Sequence, residues 1–279
     1  MKPIVKTLLT IASFSLLFAS CSGEKNKEKE QPKSLDALNV EDVIFDYDNM
    51  TINYKIPSPL EMFVRMSERN VAFDIELPNK INNATRYVTQ YQQATNIGVY
   101  ASDMAYCCIV GNSQNTLSYF NLVKNLSIEM GLYEGINKEL ADRVLDNLSE
   151  TDTLISVTSE SYHEVVNYIE EQGLVDIQCL VVAGAWIESL YLCLTPMKSQ
   201  PLGEAEMELI HDHQILLENL IELLSQNKQS GNVAKLLEEL LLIQSVYDIV
   251  YQNEGKILTQ QQFANIVNTV SDVRAKIIK

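Results

Sequence analysis

Two Glu-x-x-His spacings, Glu160 to His163 and Glu208 to His211, are the residues in this chain best suited to hold a metal. Carboxylate and imidazole three apart share one face of a helix. Two such pairs plus two further carboxylates make the ligand set of a di-iron helical bundle. Asp103 and Glu188, each alone in a long apolar stretch, would complete it. The helical face argues against that reading. At about 100° per residue, Leu154, Thr158, Tyr162, Val165 and Ile169 set the inward face of their helix. Glu160 then points opposite the core and His163 well off it. On the later helix, Ile210, Leu217, Leu220, Ile221 and Leu224 set the inward face, and Glu208 again points out. His213 alone falls on the apolar side, where a single histidine reads as a core residue. The expectation is therefore no metal and no cofactor.

Other catalytic signatures are missing from the chain. There is no Gly-x-Ser-x-Gly elbow, no phosphate-binding loop, no dinucleotide fingerprint and no His-Glu-x-x-His. No catalytic residue is assigned, and the reading is not an enzyme. Four cysteines, Cys107, Cys108, Cys179 and Cys193, lie in strongly apolar stretches without metal-site spacing. They read as buried free thiols.

Asp103 and Glu188 remain the residues that need a purpose. Ile97 to Val110 has only Ser102 and Asp103 as polar residues, and Cys179 to Leu194 only Glu188 and Ser189. Helices apolar all round are buried on all sides, so these two should be central. Gly98 and Gly184 within them point to a close approach of helices. A carboxylate in such a helix is costly unless paired or hydrogen-bonded. One reading is a buried polar network that fixes packing. The other is an interhelical pocket in which Tyr100, Asp103, Tyr106, Trp186, Glu188 and Tyr191 orient a small molecule.

The elements that position these residues are helices. Ser58, Pro59 and Glu61 announce one, with Ser58 as cap and Glu61 placed to close a capping box. Further helices are expected near 83–110, 113–131, 137–149, 152–172, 175–195, 204–227, 232–252 and 260–278. Gly111, Gly131, Gly173, Pro196, Gly231 and Gly255 are the stops, and Thr259 with Gln262 makes another capping box. The fold class is all-α: a multi-helix bundle of eight or nine helices around two buried central ones, after a short extended N-terminal segment over 36–57.

The chain's start carries an address. Lys2 and Lys6 precede an apolar run from Leu8 to Phe18, closed by Ala19, Ser20 and Cys21. That is a signal peptide layout. The run is too short and too interrupted by Thr10, Ser13 and Ser15 to span a bilayer. With cysteine directly after the cleavage site it resembles a bacterial lipoprotein signal, which implies that Cys21 is lipidated. Residues 1–20 are then the signal peptide. Residues 21–35, rich in Lys and Glu, form a flexible tether. Residues 36–279 form a single all-helical domain.

Three stretches carry a wider resemblance: Tyr54-Lys-Ile-Pro-Ser-Pro-Leu-Glu-Met-Phe63, Asn96-Ile-Gly-Val-Tyr-Ala-Ser-Asp-Met-Ala-Tyr106 and Ala183-Gly-Ala-Trp-Ile-Glu-Ser-Leu-Tyr191. Together, over about residues 50 to 195, the chain resembles an uncharacterised family of Bacteroidetes helical lipoproteins. The resemblance implies a lipid anchor and a helical fold, and no activity, cofactor or catalytic residue. The formal net charge is -16, and a field of that sign repels nucleic acid. The expected partners are the membrane, through Cys21, and a protein or small molecule of unknown identity. The expected location is the cell envelope, on either face of the outer membrane. The leading function is a lipid-anchored, non-enzymatic binding or interaction module. The alternative is a small-molecule binding protein using the pocket around Asp103 and Glu188, and the third a carboxylate metalloenzyme.

Overall fold

Ser58 opens the described part of the chain with an extended backbone, and its hydroxyl accepts from the Glu61 amide at 3.4 Å. The computed structural model describes residues 58–132, 138–147, 151–253 and 257–279. The expected signal peptide, lipidated Cys21, tether and extended segment lie outside the described residues. Helix α1 (Pro59–Glu68) follows Ser58, with proline in the first turn where its missing N–H has no cost. The expected capping box does not close. The Glu61 carboxylate turns inward, 3.5 Å from His163.

The helix expected near 83–110 is two elements. A 3-10 turn (Ile81–Arg86) is followed by a break, and α2 (Gln90–Ile109) starts afresh. Thr89 and Gln92 form a full capping box there, satisfying two orphan amides and fixing the new start. Next come α3 (Ser113–Glu129), α4 (Lys138–Asp146), α5 (Thr151–Glu171), α6 (Val175–Met197), α7 (Glu204–Gln226), α8 (Gly231–Gln252) and α9 (Gln260–Ile277). Gly111, Gly131 and Gly173 have φ of 69–75° at the ends of α2, α3 and α5, the left-handed turn that closes a helix. The Thr259–Gln262 capping box forms as expected. Pro196, expected as a stop, sits inside the last turn of α6, where its missing N–H deletes only one hydrogen bond.

Among the described residues the fold is an all-α bundle of nine α-helices without strands. Helices α2 and α6 make its centre, with the most extensive helix–helix contact among the described residues. They run parallel: Thr95 meets Gly184, Gly98 meets Val181 and Ala185, and Ser102 meets Ala185 and Ser189. A methyl group on Gly98 would overlap the Val181 carbonyl and lie 2.6 Å from the Ala185 nitrogen, and one on Gly184 would overlap the Thr95 carbonyl. Each glycine lets the opposing backbone pass. The Ser102 hydroxyl donates to the Ala185 carbonyl at 2.7 Å and lies 3.0 Å from the Ser189 hydroxyl, so the two serines at this crossing are satisfied within it.

Helices α1, α3 and α5 pack on α2, while α7, α8 and α9 pack on α6; α9 also reaches α2. α6 is long and apolar enough to cross a membrane, yet it is buried inside this bundle. The four cysteines are free and buried, as expected. Burial pushes the Cys108 and Cys179 thiols up to about 12.

Candidate functional site

Asp103 on α2 and Glu188 on α6 stand at the same level of the parallel pair and are fully buried. Between them and the surface lies Arg274, three residues before the end of α9 and 9% exposed. Its Nε donates to Glu188 Oε2 and its Nη2 to Oε1, both at 2.7 Å. The same Nη2 donates to the Leu77 carbonyl at 3.2 Å, and the guanidinium lies 4.0 Å from the Tyr191 ring centre. A forked pair of this kind satisfies both carboxylate oxygens at once.

Asp103 has a different neighbourhood. Its Oδ2 accepts from the Asn79 amide at 3.2 Å. No N–H or O–H donor is directed at Oδ1. Burial, and then the negative charge of Glu188, hold the Asp103 carboxyl well above the usual carboxylate range. Two acids and one arginine in a dry site cannot all be charged without an excess of one negative charge. The arrangement that balances is a protonated Asp103 hydrogen-bonded to an ionised Glu188, itself neutralised by Arg274. Burial would tend to discharge Arg274, but Glu188 overrides this and raises its affinity for the proton.

A ring of hydrogen bonds extends this triad into the chain's irregular segments. The Asn79 side chain donates to the Tyr87 hydroxyl at 3.0 Å, and Tyr87 donates to the Ile278 carbonyl at 3.2 Å. Tyr119 donates to the Asn79 carbonyl at 2.9 Å and Tyr100 to the Lys80 carbonyl at 3.1 Å. Asn96 donates to the Ile277 carbonyl at 2.8 Å. The Tyr106 hydroxyl accepts from the Asp74 amide at 2.6 Å. The segment 74–80 and the chain's C-terminal turn, which have no helix partners of their own, are thus hydrogen-bonded to the central pair.

Of the six residues singled out in the sequence, Asp103, Glu188 and Tyr191 come together around Arg274, Tyr100 holds the Lys80 carbonyl, and Tyr106 holds Asp74. Trp186 does not join them. It lies against His213 of α7, ring centres 6.3 Å apart. Sequence reasoning missed Arg274, Asn79, Tyr87, Asn96 and Tyr119. His213 is a core residue as expected, and burial pushes its pKa down to about 3.

His163 departs from expectation. It is 2% exposed and faces the equally buried Glu61 of α1. Its helix is packed against α1, α2, α4 and α6, so its buried arc is wider than one apolar stripe. Glu160 pairs with Arg143, and Glu208, 60% exposed, pairs with Arg69 at 3.4 Å. Among the described residues no three His, Cys, Asp or Glu side chains converge.

Comparison of the chain with protein-family models, with curated proteins and with solved structures finds no match.

Proposed function

We propose that this chain is a lipid-anchored protein of the cell envelope whose helical domain acts as a non-enzymatic binding or interaction module. The observation that carries the reading is the order of residues at the start: a charged end, a short apolar run, small residues and Cys21. Acyl chains on that cysteine contribute about 0.8 kcal/mol per buried methylene, so several of them hold a protein to a bilayer without a membrane-spanning helix. The burial of α6, the most membrane-like of the described helices, is consistent with attachment by lipid.

The state of the candidate acids favours a polar network that fixes packing over catalysis. Glu188 spends both oxygens on Arg274, and Asp103 accepts from the chain's own backbone. General acid–base work needs a group within reach of a substrate proton. These two are enclosed by the protein's own tyrosines and carbonyls. The acidic surface directs the module toward a protein or small molecule rather than nucleic acid.

The test is Cys21→Ser in the full chain. The native protein should take up labelled fatty acid and fractionate with membranes, and the variant should do neither. Equal fractionation of the two, with no label in either, would falsify the anchor.

A further inference from the structure

Helices α1 and α7 both pack on α6, and between them lies a cleft of about 190 Å3. On that measure one water takes about 10–15 Å3, while drug-sized ligands occupy about 300–1,000 Å3. The cleft therefore has room for a molecule of amino-acid size. Leu209, Asp212, His213 and Leu216 follow one another at helical spacing on one face of α7, and Met62 and Arg65, three apart, line it from α1.

Its wall is apolar and its mouth is charged. Met62 and Leu209 are buried, and Leu216 is partly buried beside the core. At the mouth Arg65 Nη1 lies 3.4 Å from Asp212 Oδ2, and the two side chains are 45% and 32% exposed. Arg69 Nη2 reaches the same Asp212 oxygen at 3.5 Å and Glu208 at 3.4 Å. Charge-assisted hydrogen bonds are shorter, about 2.7–2.9 Å, as in the fork between Arg274 and Glu188. Ion pairs this open hold weakly, so a ligand can enter them at little cost. Two arginines and two carboxylates leave the mouth without net charge. His213 completes the lining, 1% exposed, with no hydrogen-bond partner for its Nδ1. Burial, and then the charge of Arg65, keep that ring neutral at neutral pH.

A ligand with a single charge would unbalance this mouth, and one with no charge would gain nothing from Arg65 and Asp212. An α-amino acid carries its ammonium and carboxylate on one carbon, which matches a carboxylate and a guanidinium 3.4 Å apart. A charged side chain on it would be dehydrated against Met62 and Leu209 without a counter-charge. We infer that the cleft binds one free α-amino acid with an apolar side chain, its carboxylate on Arg65, its ammonium on Asp212 and its side chain against Met62, Leu209 and Leu216. The assignment rests on the reading of the domain as a binding module and not on the anchor.

The test is titration calorimetry of the purified full chain, native and Cys21→Ser, with L-leucine. Both forms should bind one leucine per chain with the same affinity, so the outcome for the cleft is separate from that for the anchor. 4-Methylpentanoate lacks the ammonium and 3-methylbutan-1-amine lacks the carboxylate. Each should bind at least about tenfold more weakly than leucine, as should L-glutamate. Arg65→Met should lower leucine affinity to that of the amine, and Asp212→Asn should lower it to that of the acid. Both substitutions lie at a partly exposed rim, and circular dichroism should show native helix content in each. Absence of saturable leucine binding to the folded native chain overturns the proposal. So does either one-charge analogue or glutamate binding as tightly as leucine, or undiminished leucine binding by a folded Arg65→Met or Asp212→Asn.

Discussion

Glu188 and Arg274 stand 86 positions apart in the chain and meet through two hydrogen bonds of 2.7 Å. The relationship joins the middle of the most buried helix to the last turn of the final one. Asp103 supplies the third member, neutral where a second charge would be uncompensated.

This assignment of charge orders the consequences of substitution. Arg274→Met leaves the Glu188 charge buried and unpaired, and Glu188→Gln leaves the guanidinium in the same state. Each should lose about 3–5 kcal/mol. Asp103→Asn keeps the shape of the protonated acid and should cost less than about 1 kcal/mol. Urea unfolding of the three variants at neutral pH checks the order. A D103N loss as large as that of E188Q would mean that Asp103 is charged.

The pH dependence follows from two buried groups with opposite signs. The folded-state pKa of Asp103 is raised above its ordinary 3.8. Its contribution is fully present below that value and is lost as pH rises from there toward the folded pKa. His213 has its folded pKa lowered from 6.5 to about 3. Its contribution is present above 6.5 and lost as pH falls from 6.5 toward about 3. Stability measured across pH should therefore decline on both sides. Asp103→Asn should flatten the rising-pH limb, and His213→Gln the acid limb. A rising-pH limb that is unchanged in D103N would assign it to another group.

The parallel crossing of α2 and α6 depends on two missing methyl groups. In an exposed helix, Gly to Ala gains about 1 kcal/mol. At Gly98 and Gly184 the added carbon meets a carbonyl oxygen of the facing backbone, which has no rotamer to escape into. Gly98→Ala and Gly184→Ala should each destabilise by more than about 3 kcal/mol, the upper range for overpacking. Thermal unfolding decides, and a gain in melting temperature from either substitution would contradict the close approach.

Cys107, Cys108, Cys179 and Cys193 are buried, with their thiols shifted toward the protonated form. A thiol-specific reagent needs exposed thiolate. The folded protein should therefore leave all four unmodified over the time in which urea-unfolded protein reacts completely. Fast labelling of Cys179 in native protein would show that α6 opens locally.

The central pair was legible because near-absence of polar residues over two long stretches has one stable outcome in water, burial on all sides. Gly98 and Gly184 were legible for the same reason: a glycine inside a helix is costly unless backbone must come near. The counter-ion of Glu188 was hidden. Near the end of α9, Arg274 reads as a basic residue that complements the helix dipole, and nothing local marks it as buried. The Asn79 amide and the carbonyls of Leu77, Lys80 and Ile278 carry no side-chain signature at all, so their partners could not be named. His163 was misplaced because one apolar stripe describes a helix covered from one side, and α5 is packed by four neighbouring helices. Trp186 was grouped with the acids by closeness in sequence. Two residues before Glu188 on a helix it points about 200° away, toward α7.

The position of Arg274 bears on the order of events during folding. It lies on α9, 86 positions after Glu188. Until α9 docks, α2 and α6 can collapse together, but the Glu188 charge has no counter-ion, and Tyr87 and Asn96 lack the Ile278 and Ile277 carbonyls as acceptors. The arrival of one late helix therefore closes the charge balance of the core, and a fault in α9 is felt at the centre of the bundle as well as at its edge.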